Sequence, residues 1–262
     1  MFDHTFAVMA HRDSPYLRSC LDSILRQTVP SEICLCTSTP SPFIEETAKM
    51  YGIPLFVSQM GTGMANDWTF SLQQSKTPYV TLAHQDDVFE PDYTAMCLQS
   101  VSNWEDVLIC FTDYIEFMEK KERKHNMLLW MKRFIFSVFM PAHHLRSRFW
   151  KITLLRFGNP IAAPSVMFSR VRLEGFAFSP GFTLNVDWDA WERMARMDGR
   201  FIYVDRPLVR HRIHGASATS QAIQNTKRRE EDLILFRRFW PAWLAHILLK
   251  LYSISYSSNQ TH

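Results

Sequence analysis

Most of the residues able to do chemistry fall in three short clusters, each following an apolar run. The first is Ala10-His11-Arg12-Asp13. The second, within Leu82 to Phe89, holds His84-Gln85-Asp86-Asp87. The third, within Asn185 to Arg193, holds Asp187-Trp188-Asp189. Two adjacent carboxylates after a buried strand repel each other unless a cation or hydrogen-bond donors offset them. A divalent ion bridging them to a diphosphate would do so, because hard cations take carboxylate and phosphate oxygens. Equally, Asp87 can cap the next helix with Asp86 left in solvent, and the local residues leave both uses open. Asp187 suits a helix N-cap, with Asp189–Arg193 and Glu192–Arg196 as surface pairs one turn apart. It also suits a general base at a cleft rim, and the two roles are compatible. Further on, Val209-Arg210-His211-Arg212-Ile213-His214-Gly215 gathers two imidazoles and two guanidiniums, which favours contact with phosphate or a metal.

These clusters need strand ends to position them, and the first hundred residues supply the pattern. Strands are expected at Thr5–Ala10, Ile33–Thr37, Leu55–Ser58, Tyr79–Ala83 and Val107–Thr112. Helices fall between them at Tyr16–Gln27, from Ser41 to Gly52, at Ala65–Gln74 and at Asp92–Val101. In the first helix Leu17, Cys20, Leu21, Ile24 and Leu25 share one face. Ser41 before Pro42 signals the start of the second, and Gly52 its C-terminal cap. Strand–helix alternation of this kind implies an α/β fold with a mostly parallel sheet, flanked by helices and binding ligands where strands end. No GxGxxG or GxxxxGK[ST] phosphate loop is present, and Gly61 and Gly63 with Asn66 do not make one.

Beyond Tyr114 the regular alternation stops. Met127 to Met140 is apolar around Lys132 and Arg133. A strand is expected at Ile161–Phe168, a helix at Trp188–Met197, a strand at Phe201–Val204, and a helical region at Thr226–Tyr252 broken by Pro241. The sequence divides into a ligand-binding half at 1–118, a second half at 119–220 and a helical C-terminal extension at 221–262, all within one domain.

The 262 residues are 47% hydrophobic and 21% charged, ordinary for a globular chain. No secretory leader or apolar run of spanning length stands out. Cys20, Cys34, Cys36, Cys97 and Cys110 lack CxxC spacing and read as buried thiols of a reduced, cytoplasmic compartment. Charge is uneven. Arg123 to Leu173 contains ten of the 29 basic residues and no carboxylate, leaving 19 basic against 26 acidic residues elsewhere. That points to a basic surface and an anionic partner. Aromatic and basic residues between Leu233 and Ile254 suit an interfacial helix, so an anionic membrane face is the expected surface. Nucleic acid is not.

Taken in order, the Ala-His-Arg after strand one, the HQDD after strand four, the Asp-Trp-Asp helix start and the late HRIHGAS segment resemble the family-2 type of inverting glycosyltransferase with a GT-A fold. The SPYLRSCLDSILRQT stretch is similar to that family's first helix, and the likeness extends to about Ser220. The resemblance implies transfer of a sugar from a nucleotide diphosphate donor, such as a UDP-sugar, to a glycan or lipid-linked hydroxyl. It implies Asp187 as the catalytic base and Mn2+ or Mg2+ held by Asp86 with His84 and His214. It implies donor contacts from Ala10, His11, Arg12, Ser38, Asn66, His84, Gln85 and Arg212. His84 stands where the family usually has the first carboxylate of its DxD, and the loop Thr37-Ser38-Thr39-Pro40 lacks the acid usual near the nucleobase. Pro164-Ser165 and the basic segment before them are expected on the acceptor side. A metal-dependent hydrolase and a non-catalytic nucleotide-sugar binder are the rival readings.

Overall fold

The computed structural model describes residues 2–118, 121–123, 127–214 and 226–257. The small-residue stretch after His214 and the divisions at 119 and 221 lie outside them. Five strands and four helices open the chain: β1 (His4–His11) and α1 (Leu17–Leu25), β2 (Glu32–Thr39) and α2 (Pro42–Tyr51), β3 (Leu55–Val57) and α3 (Met64–Gln74), β4 (Tyr79–His84), then β5 (Val88–Phe89) and α4 (Tyr93–Val101). The helix signals act as expected at α2. Ser41 Oγ accepts the Ile44 N–H, Pro42 opens the helix, and Gly52 closes it at φ 63°. On α1 the buried positions are Leu17, Cys20, Leu21, Ser23 and Ile24, so Leu25 is the one expected apolar member left facing out.

The second part consists of β6 (Val107–Met118), β7 (Lys121–Arg123), α5 (Met127–Phe139), β8 (His144–Leu145), α6 (Arg148–Leu155), β9 (Val166–Ser169), α7 (Val186–Arg196), β10 (Arg200–Arg212), α8 (Thr226–Phe239) and α9 (Ala242–Ser257). One sheet runs in the order β3-β2-β1-β4-β9-β6-β10-β5, with β7 on β6 and β8 on β10. β3, β2, β1 and β4 are parallel, as are β6 and β10. β9 joins the two groups antiparallel to both of its neighbours. Helices cover both faces over two hydrophobic clusters, one around Phe111, Phe168, Trp188 and Trp191, the other around Phe6, Leu21, Leu35 and Tyr93. Trp188 and Trp191 are fully buried. Burial of each such side chain contributes roughly 2–3 kcal/mol.

Several expectations need correcting. The strand expected from Ile161 begins only at Val166, because Pro164 and its neighbours form a 3-10 turn at Ala163–Ser165. The strand expected at Phe201–Val204 runs on to Arg212, with irregularities around Pro207, where a missing N–H is tolerated. The N-cap of α7 is Asn185, not Asp187. The expected Asp189–Arg193 and Glu192–Arg196 pairs form, but their carboxylates are not on the surface: they are 1% and 2% exposed, and Arg238 of α8 reaches both. Nor do the ten basic residues of the acid-free stretch form one face. Lys151 is buried, donating to the carbonyls of Met197 and Gly199 after α7, while Arg133 pairs with Asp113 and Arg146 with Asp106. The C-terminal helices are more than an extension, since Leu235, Phe236 and Ala245 belong to the core. All five cysteines are buried and free.

Candidate active site

Because β1 lies between β2 and β4, three carboxyl ends meet where the chain departs to opposite sides of the sheet, the usual ligand crevice of such folds. His11 closes β1. Its N–H donates to Gln85 Oε1 at 3.0 Å and its carbonyl accepts from Gln85 Nε2 at 2.9 Å. Arg12 follows at φ 55°, a left-handed conformation unusual for a side-chain-bearing residue, with its N–H held by Thr39 Oγ1 at 2.9 Å. Gln85 and Arg12 therefore fasten the ends of β4 and β2 to β1. Beside them a small pocket is lined by Ala10, His11, Thr37, Asp67 and Ser71. Asp67 Oδ1 and Ser38 Oγ are both buried without a hydrogen-bond partner. Burial raises the Asp67 pKa, against the opposing pull of Ser38 and His11. Asn66, expected as a donor contact, instead donates to the Met60 carbonyl at 3.0 Å.

The HQDD turn is set by β5. Val88 and Phe89 pair antiparallel with Arg210 and Val209 of β10, which draws the late histidines onto the two carboxylates. Asp87 is fully buried. Its Oδ1 accepts from the Arg212 N–H at 3.0 Å and meets His211 Nδ1 at 2.8 Å. It is thus no helix cap, a role that Asp92 fills by position at α4. Asp87 Oδ2 is buried with no hydrogen-bond partner, 4.0 Å from His84 Nδ1. Asp86 Oδ2 meets His214 Nε2 at 2.8 Å, and Arg212 Nε donates to the Asp86 carbonyl at 3.0 Å. The Arg212 guanidinium lies over the rings of Tyr16 and Phe117, both at 4.3 Å. Burial alone would raise the Asp87 pKa, but the charge and hydrogen bond of His211 outweigh it and hold the carboxyl below its usual range. Burial would likewise lower His211, yet Asp87 carries it up to about 9.

These residues fit a divalent cation. His84, Asp86 and Asp87 offer ligand atoms within 4.8 Å of one another, a carboxylate-rich set suited to a hard ion, and the unpartnered Asp87 Oδ2 lacks the donor a buried carboxylate requires. Of the expected ligands, Asp86 and His84 are brought together directly, while His214 touches Asp86. Asp87, for which the sequence left a cation and a helix cap equally open, joins the set, and His211 reaches it through Asp87.

Asp187 sits in the first turn of α7. Its Oδ2 accepts from Asn159 Nδ2 at 2.7 Å and its Oδ1 from the Trp188 N–H at 2.8 Å. Crowded on all sides, the carboxyl keeps an edge open to solvent. Its pKa is raised, chiefly by burial, and the Trp188 N–H, Arg228, Asn159 and Lys132 limit the rise. Tyr114 of β6 links the two centres: its ring lies 6.4 Å from that of His211, and its hydroxyl accepts from Lys132 Nζ at 2.8 Å. Asn159 and Lys132 carried no sequence signal of their own, since each works through a partner distant in the chain.

Comparison with known proteins identifies the family and the fold. The family model for glycosyl transferase family 2 matches residues 5–159, more than half of the chain. No curated protein sequence matches. Among solved structures, S. aureus TarS is 12% identical with a TM-score of 0.60 over 89% of this chain. The chain spans only 42% of TarS in that structure. The 1–349 portion of TarS in complex with UDP-GlcNAc is 13% identical, with a TM-score of 0.61 over 94% of this chain and 70% of that one. The mannosyltransferase PcManGT from Pyrobaculum calidifontis, in complex with GDP-Man and Mn2+, is 14% identical. Its TM-score is 0.64, over 98% of this chain and 73% of its own. At such identities the likeness is one of fold, the GT-A arrangement of a mostly parallel sheet between helices.

Proposed function

The chain belongs to glycosyl transferase family 2, and from that premise we propose that it transfers a hexosyl unit from a nucleotide diphosphate sugar to an acceptor hydroxyl with inversion. One observation carries the reading. A cation-ready carboxylate pair, Asp87 buried and Asp86 half-buried, and a carboxyl with raised pKa are joined through Tyr114 and Lys132 at the carboxyl edge of one sheet. A metal-dependent hydrolase could use the same ligands, but the family match favours transfer.

The donor's nucleotide lies across the ends of β1, β2 and β4. Ala10, His11, Arg12, Ser38 and Gln85 surround it there, and Ser38 with the neighbouring Asp67 supplies polar atoms that read a base edge. Asp86 and Asp87, with His84 or His214, would hold Mn2+ or Mg2+, which would supply positive charge against the leaving diphosphate. Arg212 fixes the backbone of that turn. Asp187 takes the proton of the acceptor hydroxyl as its oxygen bonds to the anomeric carbon. The bond from that carbon to the diphosphate oxygen breaks on the opposite face, and its electron pair leaves with the diphosphate. A base of raised pKa accepts that proton more readily at neutral pH than an ordinary aspartate would. Asn159 and the Trp188 N–H hold the carboxylate in place for it. The acceptor is a glycan or lipid-linked saccharide of surface polysaccharide or glycolipid synthesis, and the reaction is assigned to the cytoplasm.

The test is thermal stabilisation by UDP- and GDP-sugars with and without Mn2+, followed by release of nucleoside diphosphate in the presence of candidate acceptors. A donor that binds only the native state raises its melting temperature. If no nucleotide sugar stabilises the protein in the presence of Mn2+, the reading fails.

A further inference from the structure

Two helices near Asp187 expose apolar stripes that none of the described residues covers. On α5, Leu129, Phe136 and Met140 next to its end face the core, while Trp130, Phe134 and Val138, at every fourth position, are 65%, 56% and 54% exposed. Trp130 and Phe134 stack on each other at 5.8 Å. On α9, Ala245 is buried and Leu248, Leu249 and Tyr252 pack inward, while Trp243, Ile247 and Leu251 are 67%, 48% and 61% exposed. Exposed Phe149 and Trp150 of α6 continue the α5 stripe through the Phe139–Trp150 contact at 6.1 Å. A helix apolar on both faces has a partner for each. Apolar surface on this scale marks an interaction site, not scattered exposed side chains.

We propose that these stripes are the docking surface for an anionic lipid bilayer, on which the protein lies without crossing it. Charge argues for this occupant. No carboxylate occurs from 124 to 173 or after Asp232, the two segments that carry the stripes, while Arg148, Arg237 and Lys250 stand exposed. Although many of the basic residues are spent on internal partners, none of the exposed ones here is balanced by an acid within its segment. A second copy of the chain would fit poorly, because a two-fold interface over these stripes brings like-charged Arg and Lys side chains together with no carboxylate from either segment to offset them. Aromatic and aliphatic side chains beside Arg and Lys suit the headgroup boundary. Among the described residues, no helix is long and apolar enough to span.

The surface adjoins the chemistry. Lys132 of α5 and Arg228 of α8 act on the charge of Asp187. Tyr252 of α9 packs on Gly158, where an added Cβ would lie 2.7 Å from its ring, and its hydroxyl is 3.5 Å from the Asn159 nitrogen. Two of the elements that surround the base, α5 and α9, are therefore those that carry the stripes. This extends the transferase reading to an amphiphilic acceptor, with its tail in the bilayer and its hydroxyl at Asp187. The surface itself stands independently of that reading.

The test is co-sedimentation of the full chain with phosphatidylcholine vesicles containing or lacking a third of phosphatidylglycerol, at low and high salt. The protein is expected to pellet with the anionic vesicles and to be released as salt rises. The double variants Trp130→Ala/Phe134→Ala and Trp243→Ala/Ile247→Ala should each weaken partitioning by about tenfold or more, since each removes two large apolar groups from the contact. Their circular dichroism and urea midpoints should match the wild type, because the altered side chains do not touch the core. Failure to pellet at low salt, or pelleting unchanged in both variants, overturns the proposal. So does a dimer in sedimentation velocity that the substitutions dissolve while vesicles capture nothing. Nucleotide-sugar stabilisation of the same proteins separates the two readings, because loss of donor binding would sink the transferase assignment and leave the vesicle result standing.

Discussion

Glu231 of α8 is 3% exposed, and its carboxylate accepts three backbone N–H groups of the segment leading into α7: Thr183 at 2.8 Å, Leu184 at 2.9 Å and Asn185 at 2.9 Å. Asn185 makes no side-chain cap of its own, and its amide instead donates to Asp232 at 2.8 Å. A residue 46 positions along the chain thus satisfies the start of the helix that carries Asp187. Glu231→Ala strands these donors. The Thr183 N–H, in an exposed residue, turns to water, while those of Leu184 and Asn185 cost about 1–3 kcal/mol each, about 2–6 kcal/mol in all. Glu231→Gln is gentler. Its carbonyl in the Oε2 position keeps the Leu184 and Asn185 bonds and loses only the one to Thr183, a cost of about 1–2 kcal/mol. Urea unfolding measures both, through a midpoint shift at constant slope. Turnover is the second readout, since a shift of about 1 Å in a catalytic group costs up to about 10²-fold. The folded Gln variant should lose kcat while its KM for donor stays near wild type. An Ala variant within about 1 kcal/mol of wild-type stability, or a Gln variant with unchanged kcat, would refute the reasoning.

Asp187→Asn should lower kcat by about 10²–10⁴-fold with donor affinity retained, and transfer at a normal rate would remove Asp187 from the mechanism. The Asp187 pKa is raised in the fold. Its proton is therefore held more tightly folded than unfolded, and stability present below the ordinary aspartate pKa is lost as pH rises through the raised value. Asp187→Asn should accordingly gain stability relative to wild type as pH rises above the ordinary aspartate pKa, which thermal melts across pH will show or deny. Asp86→Ala should weaken Mn2+ and nucleoside diphosphate binding together in calorimetric titration. A large effect of His84→Ala in the same experiment would identify it as a ligand, and full activity in excess EDTA would contradict the metal site.

The parallel half of the sheet was legible because each unit carries its own punctuation: Ser41 and Pro42 before α2, Gly52 after it, and apolar runs of strand length between. The second half was less so. Pro164 ends the apparent strand at Ile161, and α6 gave no signal, because its one basic interior residue, Lys151, is satisfied by carbonyls 46 and 48 positions away. Local pattern records which side chains are apolar but not which distant donor will meet a buried charge.

That limit explains what was seen of the site and what was missed. Asp86, His84 and Asp187 announce themselves because acids and imidazoles after apolar runs are costly without a purpose. Asp87 was left undecided, since a helix cap is as sufficient a local use for it as a cation. Its true environment, His211 at 2.8 Å and an unpartnered Oδ2, exists only because β5 pairs with β10, a contact between residues more than 120 positions apart. The same pairing answers the substitution of His84 for the usual first carboxylate. With Asp87 buried beside it and one oxygen unclaimed, the turn retains two carboxylates near any cation bound there, and the imidazole adds a neutral ligand without adding charge. The anionic count that the usual pair would provide is restored by moving one carboxylate along the chain, and His211, carried up to about 9, offsets the cost of burying it.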